Sequence, residues 1–261
     1  MKMRILITAG TALCLLTLFS PVCGEELRIR TRQNESGIAL TLHVRQGEHW
    51  GHRFKAGLIS INTTPQIAVW VEDLDGNYID TLYVTMRTAT QNWRGKAGPH
   101  EARGNIRRKA SLPYWAHKRG IMYEDGLYLP TKKEPLPDSI TSASPNASFR
   151  LESRVPDPGL DPEYGSPFVV LLEVNNSTDF NEFYTEKSKP GDPNFSGGSY
   201  GSGQPALVYT AAVDTSSGRS RFGMSIIGHS SPSGDDGRLY EDVSTITTAG
   251  SIIDTVYVEM E

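Results

Sequence analysis

The sequence predicts an all-β protein, a single antiparallel two-layer β-sandwich with long irregular loops. Three observations carry this expectation. Short runs of alternating apolar and polar residues recur along the chain, rich in Val, Ile, Thr, Tyr and Phe and bounded by Gly, Pro, Asn and Asp. No segment beyond residue 24 keeps a 3.6-residue apolar period over three turns, so helices are expected to be short and few. The 25 glycines and 16 prolines among 261 residues supply many turns, without the extreme bias of a collagen-like or disordered chain.

The first element is a targeting segment. Lys2 and Arg4 form a short positive stretch, 5–19 is largely apolar, and Val22-Cys23-Gly24 offers small residues for cleavage before Glu25. Residues 1–24 therefore read as a secretory signal peptide and 25–261 as one sandwich domain. Attachment of lipid at Cys23 is the less favoured alternative, because Ser20-Pro21-Val22 lacks the usual aliphatic and small residues before such a cysteine. Both cysteines, Cys14 and Cys23, fall in this segment, so the mature chain is expected to carry no disulfide, thiolate or cysteine-based metal site. Removing Lys2 and Arg4 takes the formal charge from −4 to −6. An acidic chain with 21% charged residues is not expected to bind nucleic acid through bulk charge, and no later segment is apolar enough to span a membrane.

The expected strands are 27–32, 38–44, 67–71, 79–84, 149–155, 168–174, 207–213, 222–227 and 252–258. The clearest signal is the pair 67–71 and 79–84 around Asp75-Gly76, a dipeptide suited to the positive φ of a hairpin turn. Trp70 falls opposite Val69 and Val71, which predicts a strand covered on both faces. Val69, Val71, Leu82, Val170, Leu172, Val208 and Ile226 are the expected core. Residues 88–137 carry few strand signals, and 188–205 is a Gly/Ser/Pro stretch expected to be a long loop.

Candidate chemistry is sparse. Gly197, Ser199 and Gly201 fit the Gly-x-Ser-x-Gly pattern, with His229, Asp235 and Asp236 downstream. No strand precedes Ser199 and no helix follows it, so a flexible loop is the better reading. Gly201, Gly203 and Ala206 imitate a dinucleotide fingerprint without a βαβ unit around them. Two oxygen-rich groups, Asp179 with Asn181 and Glu182, and Asp235 with Asp236, Glu241 and Asp242 around Gly234 and Gly237, are candidate hard-cation loops, although neither has the spacing of a known calcium loop. His49 and His52 are the one close histidine pair, and no third zinc ligand is identifiable. The stretch from Trp93 to Gly120 is basic, with Arg94, Arg103, Arg107 and Arg108 interleaved with Trp93 and Trp115. It is the candidate binding surface for phosphate, anionic lipid, or an acidic partner protein in the periplasm or membrane.

The segment Asp138-Ser-Ile-Thr141-Ser-Ala143-Ser144 reads first as a turn entering the strand at Phe149. It also resembles the acceptor motif of proteins modified by flavin transferases, with Ser142 in place of the usual Gly and Ser144 in place of the usual Thr. The stretch 66–82 (QIAVWVEDLDGNYIDTL), Leu112-Pro113-Tyr114-Trp115, the segment from Asp138 to Ser144 and the stretch 172–182 (LEVNNSTDFNE) together resemble the predicted periplasmic proteins called domain of unknown function 2271. The family's Trp-Asp-Gly turn after the equivalent of Phe149-Arg150-Leu151 is replaced here by Glu152-Ser-Arg-Val-Pro156. The resemblance implies an exported, immunoglobulin-like sandwich of no assigned activity, in the genomic company of extracytoplasmic flavin and iron-linked redox systems. The expected function is a non-catalytic binding or accessory module without cofactor. The alternative is an electron carrier with FMN esterified to Ser144, Asp138 and Thr141 completing the motif.

Overall fold

The computed structural model describes residues 26–56, 59–93, 106–156 and 167–260. The expected signal peptide, 1–24, lies outside them. In chain order the elements are β1 (Leu27–Arg30), β2 (Ile38–Gln46), β3 (His52–Ala56), β4 (Ile59–Thr63), β5 (Gln66–Glu72), β6 (Tyr78–Thr85), α1 (Met86–Thr90) and α2 (Pro113–Lys118). They continue with β7 (Thr141–Ser142), β8 (Phe149–Val155), β9 (Phe168–Asn175), β10 (Leu207–Val213), β11 (Arg221–Gly223), β12 (Ser225–His229) and β13 (Ile253–Met260). The fold is all-β, as expected, and the two helices are five and six residues long.

Two sheets form a sandwich. One has the order β1-β8-β2-β13-β11 and the other β12-β10-β9-β5-β6-β7; β3 and β4 make a separate hairpin. Most neighbours are antiparallel, but β1 runs parallel to β8 and β7 parallel to β6. β8 shows the half-buried strand in its simplest form: Phe149, Leu151 and Val155 face inward while Arg150, Glu152 and Arg154 alternate outward. The inner faces of both sheets supply one apolar cluster, with Leu40, Leu42, Phe149, Leu151 and Val258 from the first and Val69, Val71, Leu82, Val170 and Leu172 from the second. This is the core the alternation predicts.

The second sheet is covered on its outer face as well. Trp70, fully buried opposite Val69 and Val71, packs there with Ala68, Val84, Leu171 and Val208 under Leu112, Tyr114, Trp115 and Leu129. The strand-poor stretch 88–137 is thus a cap in its described parts. Two of the seven expected core residues are placed differently. Val208 is buried, but in this outer cluster. Ile226 is 39% exposed. β12 is the edge strand, and Ile227, bulged out of the pairing between Tyr209↔Ile226 and Val208↔Gly228, packs against the outer cluster in its place.

Asp75-Gly76 does sit in a tight turn, with Gly76 at φ +80° and the Asp73 carboxylate accepting from Asp75 N and Asn77 N at 2.9 and 2.8 Å. The Gly/Ser/Pro stretch folds back on the sandwich. Gly203 bridges to Asp179, and a Cβ on Gly203 would lie 2.4 Å from the Asp179 backbone, a contact only glycine permits.

Candidate functional site

The site with the most organised polar chemistry lies at the end of β12. Gly228, at φ +151°, lets the Tyr240 carbonyl approach to where a Cβ would stand 2.4 Å away. The chain then leaves at Ser230, loops out, and returns so that His229 and Tyr240 exchange both backbone hydrogen bonds at 2.8 Å. This bridge stacks the His229 ring on Tyr240, 5.3 Å between centroids and 6° from parallel. His229 Nδ1 lies 2.8 Å from the Ser230 carbonyl, which can only accept, so Nδ1 carries a proton.

A recess of about 430 Å³ opens beside this pair, lined among others by Tyr184, His229, Ser231, Asp236, Tyr240 and Asp242. Its groups are fixed by the protein. The Tyr240 hydroxyl donates to Asp236 at 3.0 Å, and the Arg238 guanidinium lies 5.5 Å over the Tyr240 ring. Burial alone would raise the Asp236 carboxyl, but bonds from Arg238 N, Tyr240 and the Arg238 side chain hold it below the usual carboxylate range. Hydrogen bonds from Ser244, with a contribution from His229, hold Asp242 low as well. Tyr184 meets Thr245 at 2.9 Å, and burial pushes its hydroxyl up. Ser231 and Ser233 hydroxyls face each other at 3.4 Å. Among the described residues no hydrogen bond joins His229 to a Ser or Thr hydroxyl.

The basic stretch is organised differently from expectation. Arg94 and Arg103 lie outside the described residues. Trp115 is 0% exposed, a core residue of the cap whose Nε1 donates to Thr81 at 2.9 Å. Arg107, 8% exposed, points inward to Asp125 and donates to the Leu129 carbonyl at 2.6 Å. These two are therefore not parts of an exposed binding surface: each is held in the interior by a partner far along the chain. Trp93 is half-buried with its indole N–H on Gln91, 2.9 Å away. Arg108 is half-exposed and has a partner of its own. Lys109 pairs with Asp235, and Lys118 with Glu72 at 3.1 Å.

Neither acidic group converges as a cation loop. Asp179 is buried, accepts from Thr248 at 2.6 Å and stands 4.0 Å from His52 Nδ1, so one member of the histidine pair lies beside it. Asn181 Oδ1 accepts from Phe183 N and Tyr184 N at 2.9 Å each, and Glu182 is exposed. Asp235 turns to Lys109 while Asp236 turns to Arg238 and Tyr240. Among the described residues no group of three or more His, Asp or Glu side chains is placed to hold a metal ion.

The flavin-type segment forms a single 3₁₀ turn followed by β7. Asp138 is exposed, Thr141 pairs with Val84, and the half-buried Ser144 hydroxyl accepts from Gln66 Nε2 at 3.2 Å. Ser144 does not border the groove of about 770 Å³ on the outer face of the first sheet, which Asn146, Ala147 and Ser148 line with His43 and Tyr257. Charges along that groove are paired across strands, Arg150 with Glu26 at 2.9 Å and His43 with Glu259 at 3.0 Å. Among the described residues no helix is long and apolar enough to cross a membrane. Compared with family models, curated proteins and solved structures, the chain finds no match.

Proposed function

We propose that the chain is an exported, non-catalytic binding module of the periplasm that takes a small ligand in the His229 recess. The observation that carries this reading is the state of the His229 ring. Its Nδ1 is committed to the Ser230 carbonyl and its face to Tyr240, so the ring cannot turn and Nε2 is presented in one direction. A few polar groups with fixed orientation in a concavity of several hundred Å³ are what small-ligand recognition requires. The nearby Ser230 hydroxyl is turned inward, between the Ala206 carbonyl at 3.3 Å and the buried Glu173 carboxyl, which favours binding over acyl chemistry. The positive, apolar and small-residue succession of 1–24 supports export. The burial of Arg107 and Trp115 speaks for the recess and against the basic stretch as the point of contact.

Two measurements test the proposal. Intact mass of the chain recovered from the periplasmic fraction is expected to begin at Glu25; a form retaining Met1 refutes export. A fragment screen by ligand-observed NMR on the full mature chain is expected to give ligands that the His229→Ala variant no longer holds. Ligands indifferent to that substitution, in a variant with an unchanged circular dichroism spectrum, refute the recess as the site.

A further inference from the structure

The outer face of the first sheet carries six arginines and no lysine. Ile29, Leu42, Phe149, Val258 and Phe222 point into the core from its five strands. Alternation therefore turns Arg28 and Arg30 of β1, Arg150 and Arg154 of β8, Arg45 of β2 and Arg221 of β11 outward. The carboxylates paired with them are Glu26, Glu152, Asp254 and Glu259. Guanidinium groups thus outnumber their carboxylates on this face, in a chain whose formal charge is −4. Glu152 is shared, with Arg28 and Arg30 on its two oxygens at 3.0 and 2.9 Å. Two guanidinium forks hold more N–H donors than one carboxylate can accept. Arg154 meets the Gly37 carbonyl, 3.2 Å away.

Register lines part of this charge up. Arg28 stands directly opposite Arg150, Arg150 opposite His43, His43 opposite Tyr257 and Tyr257 opposite Gly223, one row across all five strands with no carboxylate in it. Like charges facing each other on neighbouring strands cost stability, so folding alone gives no reason to set Arg28 against Arg150. An anion laid along the row turns that cost into attraction. Beside His43 and Tyr257 runs the groove of about 770 Å³, whose flank adds Arg45, Gln46, Asn146 and Ser148.

The surroundings of the row select among polyanions. Neighbouring strands lie about 4.8 Å apart, so the row repeats at an interval close to the advance per sugar of an extended glycan chain. The exposed amides of Gln46 and Asn146 and the Ser148 hydroxyl offer partners to a glycan's hydroxyl groups. A nucleic-acid base would find no open aromatic face. Tyr257 stacks on His43 at 4.5 Å on the β2 side and lies 4.4 Å beneath the Arg221 guanidinium on the β11 side. Leu27 alone among the groove's described lining is a large apolar residue exposed to solvent, so a lipid surface would bury little here.

We propose that this face binds a linear polyuronate, an anionic polysaccharide with a carboxylate on each sugar, laid across the strands along Arg28, Arg150 and His43 with Arg45 and Asn146 on its flank. Arginine forks meet carboxylates in a two-pronged geometry that lysine does not offer. His229 belongs to the other sheet, so this assignment and the recess stand or fall separately.

Isothermal titration of polygalacturonate into the full mature chain tests the assignment, alongside the fully methyl-esterified polymer, single-stranded DNA and phosphatidylglycerol vesicles. Saturable binding of polygalacturonate is expected, with the ester roughly tenfold or more weaker, because esterification removes the charge and keeps the chain. Arg28→Gln combined with Arg150→Gln is expected to weaken polygalacturonate by roughly tenfold or more. Lys187→Gln, which removes an exposed charge in another part of the chain, is expected to leave it unchanged. Arg45→Gln, at an exposed position, serves should the double variant fail to fold. Equal binding of acid and ester overturns the assignment, as does tighter binding of DNA or vesicles. Binding that the arginine variants weaken no more than Lys187→Gln does puts the polymer elsewhere and overturns it too. So does failure of polygalacturonate to bind at all.

Discussion

Glu173 is a carboxyl group sealed inside the protein, and its removal has a consequence whose sign is fixed. It lies on β9 with 0% exposure, beneath the first turn of α2, where Oε2 accepts from Trp115 N at 2.8 Å and Oε1 from Tyr114 N at 3.2 Å. Those N–H groups are unpaired donors at the start of a helix, so the carboxyl fastens the cap to the sheet. Burial raises the group from 4.5 to about 8, against the lowering effect of the bonds from Trp115, Tyr114 and Ser230. Between those two values the folded chain keeps a proton that the unfolded chain releases. Stability therefore falls as pH rises through this window, and the contribution is fully present below the lower value and lost above the higher one. At about 1.4 kcal/mol per pH unit the whole window is worth roughly 4–5 kcal/mol. Glu173→Gln keeps one carbonyl acceptor and an uncharged group at every pH, while its amide nitrogen faces one of the two N–H donors, so the variant is expected to lose this slope at a cost that does not depend on pH. Urea unfolding followed by far-ultraviolet circular dichroism at intervals from pH 5 to pH 8.5 measures both curves. Taking their difference cancels the histidines that titrate in the same range. Parallel curves would refute the assignment of a raised value to Glu173.

The cap offers further expectations. Trp115→Ala empties a fully buried site between α2 and the outer face of the second sheet and is expected to cost about 3–5 kcal/mol, read as a shift in the urea midpoint. Arg107→Glu sets a second carboxylate against Asp125 in a nearly closed environment and is expected to destabilise by about 3–5 kcal/mol; a folded variant of wild-type stability would show that Arg107 is a surface residue after all. The Ser144 hydroxyl is half-buried and engaged by Gln66, so chain co-expressed with a flavin transferase is expected to be colourless and of unmodified mass. A gain of one FMN less a water, lost in Ser144→Ala, would establish the carrier instead.

The alternation of side chains conveys which residues face inward far better than it conveys which strand lies alongside. Trp70 shows the strength: its place opposite Val69 and Val71 predicts two covered faces, and both are covered. The run 222–227 shows the weakness. Phe222 pairs with Val258 in the first sheet, and Ile226 with Tyr209 in the second, so one run of alternating residues contains a change of sheet between Gly223 and Ser225. Nothing in the period of two marks the change, because the pattern records faces and not partners. The same limit hides the parallel pairing of β1 with β8, where Leu27 meets Phe149 across 122 residues of sequence. β7, two residues long, is too short for any period to register.

The candidate site was harder to read for an electrostatic reason. A run of basic residues looks like an exposed field when only neighbours in sequence are counted, yet Lys109 is answered by Asp235 and Lys118 by Glu72, each remote in sequence. A charge's effect outside the protein depends on its nearest opposite charge in space, and a counter-charge at contact distance removes most of the field beyond a Debye length of about 10 Å. The converse holds at His229. In sequence it is a lone histidine before a Ser/Pro/Gly turn, distinguished only by lying downstream of a Gly-x-Ser-x-Gly pattern that reads better as a loop. Its chemistry comes from a backbone bridge to Tyr240 that needs Gly228 to admit a carbonyl, a requirement of space that the residue types leave unstated. A histidine held through one nitrogen by a carbonyl and stacked on one face keeps its ring in a single orientation, and one of the two residues that set it, Tyr240, stands eleven positions away in the chain rather than beside it.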